Sequence, residues 1–362
     1  MTRRVWLLYD SLLVPGGAET VTAEIAATLD VEAVVVADAR EAALRDWPDA
    51  LRQRVRVLGR LSSNPGLRVL QTVRAFSRLT IPDGVDVVYS GCYAPAAVRQ
   101  QKGGRRFYYC HTPPRFAFDL LDFYRSRAGL LERMPLECLA RWLRPRYCAW
   151  VSAMDHVWAN SENVARRLAQ APGVQAEVLH PPCDTSRMAW LADEGYFLST
   201  ARLEPFKRVD AIIEAFLELP EQRLVVASGG SEEGRLRAMA ASAKNIEFTG
   251  WCDSNQLAEL IGRCRATIYV PRDEDFGMSP VESMAAGKPV LGVDEGGVRE
   301  TILHGETGWL LPPDKLIASL KRTVAEAKLP DETMRSACQA QASRFSKEVF
   351  KTRLIQALDG SL

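Results

Sequence analysis

The chain has 362 residues, 47% of them hydrophobic and 25% charged, which is typical of a globular protein and long enough for two domains. No apolar run reaches the roughly 18 residues of a membrane span, and the eight cysteines contain no Cys-x-x-Cys pair, which argues against a structural zinc site. Residues 1–150 carry 22 basic and 15 acidic side chains (+7), and the other 212 carry 24 and 30 (−6), so the first half is expected to face an anionic partner.

The same features predict a compartment and weigh against one class of partner. Cysteines without a pairing pattern, together with the lack of a signal-peptide pattern, predict a cytoplasmic protein with reduced thiols. The chain has no recognised nucleic-acid-binding motif. For the basic half, an anionic membrane surface is therefore a better expectation than nucleic acid.

The first predicted elements are a strand and a helix joined by two glycines. Val5–Tyr9 is predicted as a strand, and Val21 and Ile25 then repeat at helical spacing. Gly16 and Gly17 lie at the turn between them, where backbone amides are able to approach a phosphate closely. The turn lacks the Gly-x-Gly-x-x-Gly spacing of dinucleotide-binding folds, which argues against a dehydrogenase.

An arginine-rich segment without acidic residues extends from Arg52 to Arg78. Its apolar residues have the spacing of an amphipathic helix with a basic face: Leu67, Leu70, Val73 and Phe76. Such a helix either contacts a membrane or is an ordinary solvated surface helix, and the sequence leaves both open. The stretch from Leu130 to Tyr147 also mixes aromatic residues with arginines, and either widens this surface or forms a buried helix.

A histidine follows a predicted strand later in the first half. Arg105–Cys110 is predicted as the strand, and His111-Thr-Pro-Pro-Arg115 comes directly after it, with Asp119 further on. A side chain at the carboxyl end of a parallel strand is well placed to meet a ligand. A structural histidine is the alternative that the residues alone leave open.

The segment from Pro181 to Gly195 is predicted as the crossing between the two domains, because it holds a proline pair and a polar stretch. A strand over Tyr196–Ser199 then leads into a turn that carries Arg202 and Lys207. Two cations at such a turn are able to bind a diphosphate. The arginine does so through the paired N–H groups of its guanidinium, and the lysine through the charge of its ammonium group. Taken alone, they are explained equally well as surface residues.

A strand, a loop and a short helix are predicted between Ala266 and Gly287. The strand is rich in β-branched and aromatic residues, and a polar turn with Glu274 follows it. Pro280 is predicted to open the helix at its first position, and Gly287 to end it. Ligands of parallel α/β sheets bind at such loops, so this one is the strongest candidate site.

The loop combines anion donors with two carboxylates. The N–H groups of Phe276, Gly277 and Met278 precede the predicted helix, which is a favourable place for an anion. Glu274 lies in the loop and Glu282 in the helix, and their carboxylates suit hydroxyl groups. A sugar nucleotide carries both phosphate and sugar and so fits this set.

Four motifs in the second half resemble one enzyme family. They are Glu-x-Phe-Gly-x-x-x-x-Glu ending at Glu282, Ser-Met-Ala-Ala-Gly-Lys-Pro-Val directly after it, Gly296-Gly297-x-x-Glu300, and Gly-x-Thr-Gly308. Together they look like the retaining glycosyltransferases of family 4. The resemblance implies the GT-B fold, an α/β architecture of two Rossmann-like parallel-sheet domains facing a cleft. It implies an acceptor-binding domain at 1–185, a nucleotide-sugar-binding domain at 196–340, and a C-terminal helix at 341–362 that packs back on the first domain.

The resemblance also implies roles for the candidate residues. Catalytic roles fall to four of them: His111 near the reacting sugar carbon, Glu274 on the sugar hydroxyls, and Arg202 and Lys207 on the leaving nucleoside diphosphate. Donor contacts are implied for Gly16, Gly17, Phe276, Gly277, Met278, Glu282 on the ribose, and Trp251 near the nucleobase. Arg115 and Asp119 are expected to support the acceptor or to brace the loop.

The substrates and the location are expected from the same resemblance. The loop Tyr-Cys-His-Thr-Pro-x-Arg that ends at Arg115 is similar to one in mannosyltransferases and related enzymes of bacterial surface polysaccharides. The expected donor is therefore GDP-mannose, with UDP-glucose and UDP-N-acetylglucosamine as alternatives. The expected acceptor is a lipid-linked sugar or an oligosaccharide, and the expected location is cytoplasmic or peripheral on the inner membrane face.

Three alternatives stay open in the sequence. Asp273 and Asp275 form an Asp-x-Asp pattern that suits a divalent metal, although the helix context favours a metal-independent site without a cofactor. A nucleotide-sugar epimerase of the same fold would turn over the donor without any acceptor. A non-catalytic subunit would bind the sugar nucleotide or a partner enzyme only.

Overall fold

The computed structural model describes residues 4–14, 16–327 and 329–360. The chain divides into two compact units, an N-terminal unit of residues 1–180 and 351–362 and a C-terminal unit of residues 181–350. The predicted crossing at 181–195 thus belongs to the C-terminal unit, and the last helical segment is shared between the two units at residue 350. Among the described residues, no helix combines the length and the apolar character needed to cross a bilayer.

The N-terminal unit contains a fully parallel sheet, which has seven strands within the described residues. Its strand order is β3-β2-β1-β4-β5-β6-β7, with strands β1 Val5–Tyr9, β2 Ala33–Val36, β3 Val55–Val57, β4 Asp86–Ser90, β5 Arg106–Cys110, β6 His156–Ala159 and β7 Glu177–Val178. The order reverses between β1 and β4, the switch point at which doubly wound sheets bind ligands.

Helices connect these strands. They are α1 Gly17–Thr28, α2 Glu41–Leu44, α3 Asp49–Arg52, α4 Pro65–Phe76, α5 Leu121–Arg127, α6 Leu130–Val151 and α7 Glu162–Gln170, with 3₁₀ segments at Ala94–Gln100 and Arg115–Ala117. All residues of β1 and β4 are buried, as expected for a parallel sheet covered on both faces.

The C-terminal unit repeats this plan with a parallel sheet of six described strands. The order is β10-β9-β8-β11-β12-β13, formed by β8 Tyr196–Ser199, β9 Arg223–Val226, β10 Ile246–Phe248, β11 Ala266–Tyr269, β12 Val290–Val293 and β13 Gly308–Leu311. Its switch point lies between β8 and β11, the strands that precede Arg202 and Glu274.

The remaining helices begin in the C-terminal unit. They are α8 Val209–Leu217, α9 Glu233–Met239, α10 Ser254–Arg263, α11 Met278–Ala285, α12 Val298–Thr301, α13 Leu316–Glu326, α14 Glu332–Ser343 and α15 Lys347–Asp359, with 3₁₀ segments at Thr185–Arg187, Pro205–Lys207 and Pro313–Lys315. The expected α/β class and the two Rossmann-like sheets are confirmed.

One local prediction was wrong. Helix α11 begins at Met278 instead of Pro280, because Gly277 takes the N-cap position with φ of 94°, a left-handed conformation that suits glycine. Pro280 occupies the third position, where a missing N–H still costs nothing. The tail contains two helices, α14 and α15, which are separated around Phe345, whose side chain is buried in the core of the C-terminal unit.

Candidate functional site

The C-terminal unit places an ion pair at its switch point. Lys207 is buried and forms an ion pair with Glu274, so the two predicted catalytic residues contact each other directly. The Lys207 ammonium also donates to the hydroxyl oxygen of Tyr269 at 3.2 Å, and that hydroxyl donates to Glu274 Oε2 at 2.9 Å. Tyr269 ends β11 and thereby ties this pair to the sheet.

The surroundings keep Glu274 ionised. Burial alone would raise the pKa of its carboxyl, but Lys207, the Tyr269 hydroxyl and the backbone N–H of Asp275 outweigh burial and lower the pKa. Lys207 is therefore largely neutralised by a carboxylate that is charged at neutral pH. The positive charge available to a ligand has to come from another residue.

Arg202 supplies that charge. Its exposed guanidinium has no hydrogen bond or ion pair within the described part of the chain. It lies close enough to Tyr269 to lower the pKa of that phenol, although burial raises this pKa by far more. The first turn of α11 adds the N–H groups that a helix leaves without internal partners, so a cation and a helix N-terminus occur beside one carboxylate.

The loop that carries Glu274 is held by two glycines after β12. A Cβ on Gly296 would lie 2.6 Å from the backbone nitrogen of Glu274, and one on Gly297 would lie 2.3 Å from the carbonyl oxygen of Asp275. The Gly297 N–H donates to the Glu274 carbonyl at 2.8 Å. These contacts explain why glycines follow this strand: a side chain there would displace the loop that carries Glu274.

A second ion pair braces the same loop. Arg208 has a left-handed backbone with φ of 53°, donates to the carbonyls of Val270 and Pro271 at 2.7 Å each, and pairs with Glu295. The Glu295 carboxylate accepts the backbone N–H of Asp273 at 2.9 Å. Arg208 and Glu295 thus hold both ends of the turn before Glu274, and no local sequence pattern pointed to either residue.

Glu282 and Trp251 lie elsewhere in the same unit. The Glu282 carboxylate, in α11, has no hydrogen bond or ion pair among the described residues, and burial with the nearby Asp184 charge raises its pKa. Trp251 is 68% exposed, and its indole lies against Gly229, since a Cβ there would be 2.4 Å from Nε1. Trp251 thus presents a flat exposed surface, and Glu282 a partly exposed carboxyl without a partner among the described residues.

His111 occupies the switch region of the N-terminal unit. Its Nε2 is 2.8 Å from the hydroxyl of Ser90 at the end of β4, and its ring packs edge-on against Tyr9 and Tyr109. Burial lowers the pKa of its imidazole from 6.5 to about 4, so the ring is neutral at pH 7 and acts through hydrogen bonds. Ser90 and Tyr9 were not predicted, because each appeared only as the last residue of a strand.

The other predicted residues of this unit have mainly structural contacts. Arg115 donates twice to Asp119, at 3.0 and 2.7 Å, so these two brace the loop after His111. Gly16 caps α1, and a Cβ there would lie 2.7 Å from the carboxylate of Glu19. Gly17 is the first residue of that helix.

A cavity of about 370 Å³ opens next to these residues in the N-terminal unit. Its lining includes Tyr9, Asp10, Glu19, Arg68 and Tyr93. The Asp10 carboxylate accepts three backbone N–H groups at 2.7 Å each, and burial nevertheless raises its pKa to about 6. The cavity is thus polar and acidic on one side, which suits a ligand rich in hydroxyl groups.

Comparison with known proteins places this arrangement in a family. The sequence model described as "Glycosyltransferase Family 4" matches residues 15–187, and the one described as "Glycosyl transferases group 1" matches residues 186–345. The chain belongs to glycosyltransferase family 4. The two matches meet near the boundary between the two units.

Individual relatives agree with this family. A D-inositol 3-phosphate glycosyltransferase of Jonesia denitrificans is 29% identical over 199 residues, covering 49% of this chain and 46% of that protein. An alpha-1,3/1,6-mannosyltransferase of Rhizomucor pusillus is 35% identical over 303 residues, covering 68% of this chain and 64% of that protein. The chain thus spans between about half and two thirds of the length of these relatives.

A solved structure shares the fold of this chain. The crystal structure of Anabaena HepE in complex with UDP and glucose superposes with a TM-score of 0.72 at 19% identity, covering 99% of both chains. At this identity the likeness concerns the fold alone, and it confirms the GT-B architecture for this family-4 protein.

We expect Glu295 to contribute more to stability than its neighbour Asp294. Replacing Glu295 by Gln removes the charged partner of the mostly buried Arg208. We expect this change to lower the free energy of unfolding by about 2 kcal/mol, less than for a fully buried pair because both side chains are partly exposed. Asp294→Asn is the matched control, since its pair with Arg299 is about half exposed and is worth roughly 0.5 kcal/mol or less. Equal losses in denaturant unfolding would contradict the bracing role of Glu295.

His111 makes stability depend on pH with a defined sign. The unfolded chain takes up a proton near pH 6.5 and the folded chain only near pH 4, so stability is lost as pH falls between these values. Between about pH 7.5 and about pH 5 the wild type should lose about 2 kcal/mol more than His111→Asn. The measurement is denaturant unfolding of both proteins at both pH values, and parallel losses would show that the imidazole is not held neutral.

Proposed function

We propose that this protein transfers a hexose from a nucleotide sugar to an acceptor, and that its C-terminal unit binds the donor. The observation that carries the proposal is the unpartnered Arg202, which lies with the N-terminus of α11 and Glu274 at the switch point of the sheet. A diphosphate requires cations and N–H donors, and a sugar requires carboxylate acceptors. The carboxyl ends of the neighbouring strands β8 and β11 supply the cation, the N–H donors and the carboxylate.

The transfer itself requires stabilisation of the leaving nucleoside diphosphate. Negative charge grows on that group as the bond to the sugar breaks, and donors fixed in advance stabilise it by several kcal/mol. In this proposal Arg202 provides the main positive charge for the diphosphate. Lys207 contributes less, because Glu274 neutralises it in part, and the first turn of α11 contributes backbone N–H groups. Glu274 then orients the sugar, Glu282 binds the ribose and Trp251 borders the nucleobase.

The N-terminal unit is the proposed acceptor side. The polar cavity beside Tyr9 and Asp10 has room for one or two sugar rings, and His111, neutral at pH 7, is proposed to hydrogen-bond sugar hydroxyls during transfer. Retention of the anomeric configuration, without a covalent intermediate, is proposed from family membership. No metal or cofactor is required in this scheme, because Arg202 and the helix N-terminus fulfil the usual task of the metal.

The proposed donor is GDP-mannose. It is supported by the similarity to the mannosyltransferase of Rhizomucor pusillus and by the loop from His111 to Arg115. A UDP-sugar is the alternative, since a protein of the same fold was crystallised with UDP and glucose. The acceptor is proposed to be a lipid-linked sugar or an oligosaccharide in surface-polysaccharide synthesis, on the cytoplasmic side of the membrane.

A thermal-shift screen tests the donor site directly. Purified protein is heated with GDP-, UDP-, ADP- and dTDP-sugars, with and without EDTA, and we expect stabilisation by GDP-mannose that survives EDTA. Arg202→Gln should weaken the binding of that donor at least about tenfold. Arg322→Gln, which removes from α13 an exposed arginine that pairs with none of the described residues, is the control and should bind normally.

Each other outcome has a defined meaning. Loss of the shift in EDTA would make Asp273 and Asp275 metal ligands and contradict the metal-independent scheme. Consumption of the donor at the same rate with and without acceptor would indicate hydrolysis or epimerisation instead of transfer. No shift with any nucleotide sugar would contradict the proposed donor site.

A further inference from the structure

A second cavity of the N-terminal unit lies between α4, α6 and the 3₁₀ segment Ala94–Gln100. It shares no lining residue with the polar cavity beside Tyr9 and Asp10. Its volume of about 510 Å³ is within the usual range of sites that bind a small molecule. Three arginines line it, Arg74, Arg99 and Arg146, and none of the described residues that line it is acidic. We call it the arginine cavity.

The charges of the arginine cavity have no carboxylate partner among the described residues. Arg74 and Arg99 are exposed and form no hydrogen bond or ion pair within that part of the chain. Arg146 lies over the ring of Trp142 at 4.6 Å and donates only to a carbonyl of its own helix, at 2.7 Å. Three cations around one cavity repel each other, so a bound anion with several charges would relieve that repulsion.

The rest of the lining suits an aromatic ring. The indole of Trp150 is buried in the wall of the cavity, and Trp142 is half-buried beside it on α6. Indole rings stack on other aromatic rings, and so does the planar guanidinium of Arg146. The side chains of Ser77 and Gln100 form no hydrogen bond to a described residue, so both have polar groups available for the edge of a base. Cations, flat surfaces and polar groups together match the parts of a nucleotide.

Two structural elements connect the arginine cavity to the polar cavity. Helix α4 lines the polar cavity with Arg68 and Thr72 and the arginine cavity with Arg74. The 3₁₀ segment Ala94–Gln100 begins directly after Tyr93, which lines the polar cavity, and the Asp10 carboxylate accepts N–H groups at its start. A ligand that orders α4 and the 3₁₀ segment from one side therefore also orders residues that line the polar cavity.

We propose that the arginine cavity binds a free nucleoside triphosphate, which acts as an effector of the polar cavity. The triphosphate contacts the three arginines, and the base lies against Trp142. Three arginines match the high negative charge of a triphosphate better than that of a monophosphate. The role of the polar cavity as the acceptor side rests on the proposed function, whereas the binding of the triphosphate does not depend on it.

The arginine cavity could not be found from the arginine-rich segment 52–78 alone. In that segment Arg54 pairs with Asp30, and Arg56 lies over the ring of Trp6. Those two charges serve the fold of the unit itself. Arg74 belongs to the same segment, but the other two arginines of the cavity come from the 3₁₀ segment and from α6. The cluster therefore forms only when three separate parts of the chain fold together.

The first test is calorimetric titration of the full-length protein with ATP. All variants carry Arg202→Gln, which weakens the proposed donor site, so that the heat reports on the arginine cavity. Adding Arg74→Gln or Arg99→Gln should weaken ATP binding about fivefold each, and adding Arg322→Gln, the matched control on α13, should leave it unchanged. Tripolyphosphate, which lacks the base, should bind about fivefold more weakly than ATP. No ATP binding, equal binding of tripolyphosphate, or equal affinities in all variants would overturn the proposal.

The second test is hydrogen exchange of the N–H groups that Asp10 accepts, those of Cys92, Tyr93 and Ala94. Saturating ATP should slow their exchange at least about threefold, and the same ATP concentration should have a smaller effect when Arg99→Gln is added. Unchanged exchange with ATP bound would overturn the effector role.

Folding and function are controlled separately. The altered arginines are exposed, so the melting temperatures of these variants should equal that of Arg202→Gln. Neither test needs a sugar donor or an acceptor. A protein that transfers no sugar would therefore contradict the proposed function and leave this inference standing, whereas normal transfer without ATP binding would contradict this inference alone.

Discussion

The candidate site depends on one mostly buried ion pair, Lys207 with Glu274. Taking two charges out of water is costly, and the cost is met here because the charges lie together and Tyr269 hydrogen-bonds to both. A buried pair with one partner removed typically costs about 3 kcal/mol or more, so the turn of Lys207 and the loop of Glu274 hold each other in place. The glycines after β12 and the Arg208–Glu295 pair secure the same loop from its other side.

This pair also determines how charge is distributed at the proposed donor site. Because Glu274 is ionised and contacts Lys207, the two together are nearly neutral, and Arg202 provides the net positive charge. Glu282 has a raised pKa and no ion pair among the described residues, so its proposed role is that of a hydrogen-bonding group. The proposed donor contacts follow from this division: a diphosphate beside Arg202 and α11, and hydroxyls beside the two carboxylates.

The sequence predicted the fold and the main candidates well, because these depend on local patterns. Apolar strands such as Ala266–Tyr269 and glycine-rich turns are visible without a structure, and so are the family motifs. What the sequence did not show depends on contacts between distant residues. Arg208 meets Glu295 and His111 meets Ser90 only after folding, and the apolar residues of α6 appear exposed only when the core is known. The sequence analysis placed the start of α11 too late, because it could not show that Gly277 adopts a left-handed conformation and acts as the N-cap.

The most direct test of this account is the affinity for the free nucleoside diphosphate, measured by calorimetry for the wild type and Glu274→Gln. If Glu274 neutralises Lys207, removing its charge frees that cation, and the diphosphate should bind about tenfold more tightly. Transfer of the sugar should fall in the same variant, because the sugar loses its carboxylate. Weaker diphosphate binding in Glu274→Gln, comparable to that of Arg202→Gln, would contradict the proposed division of charge.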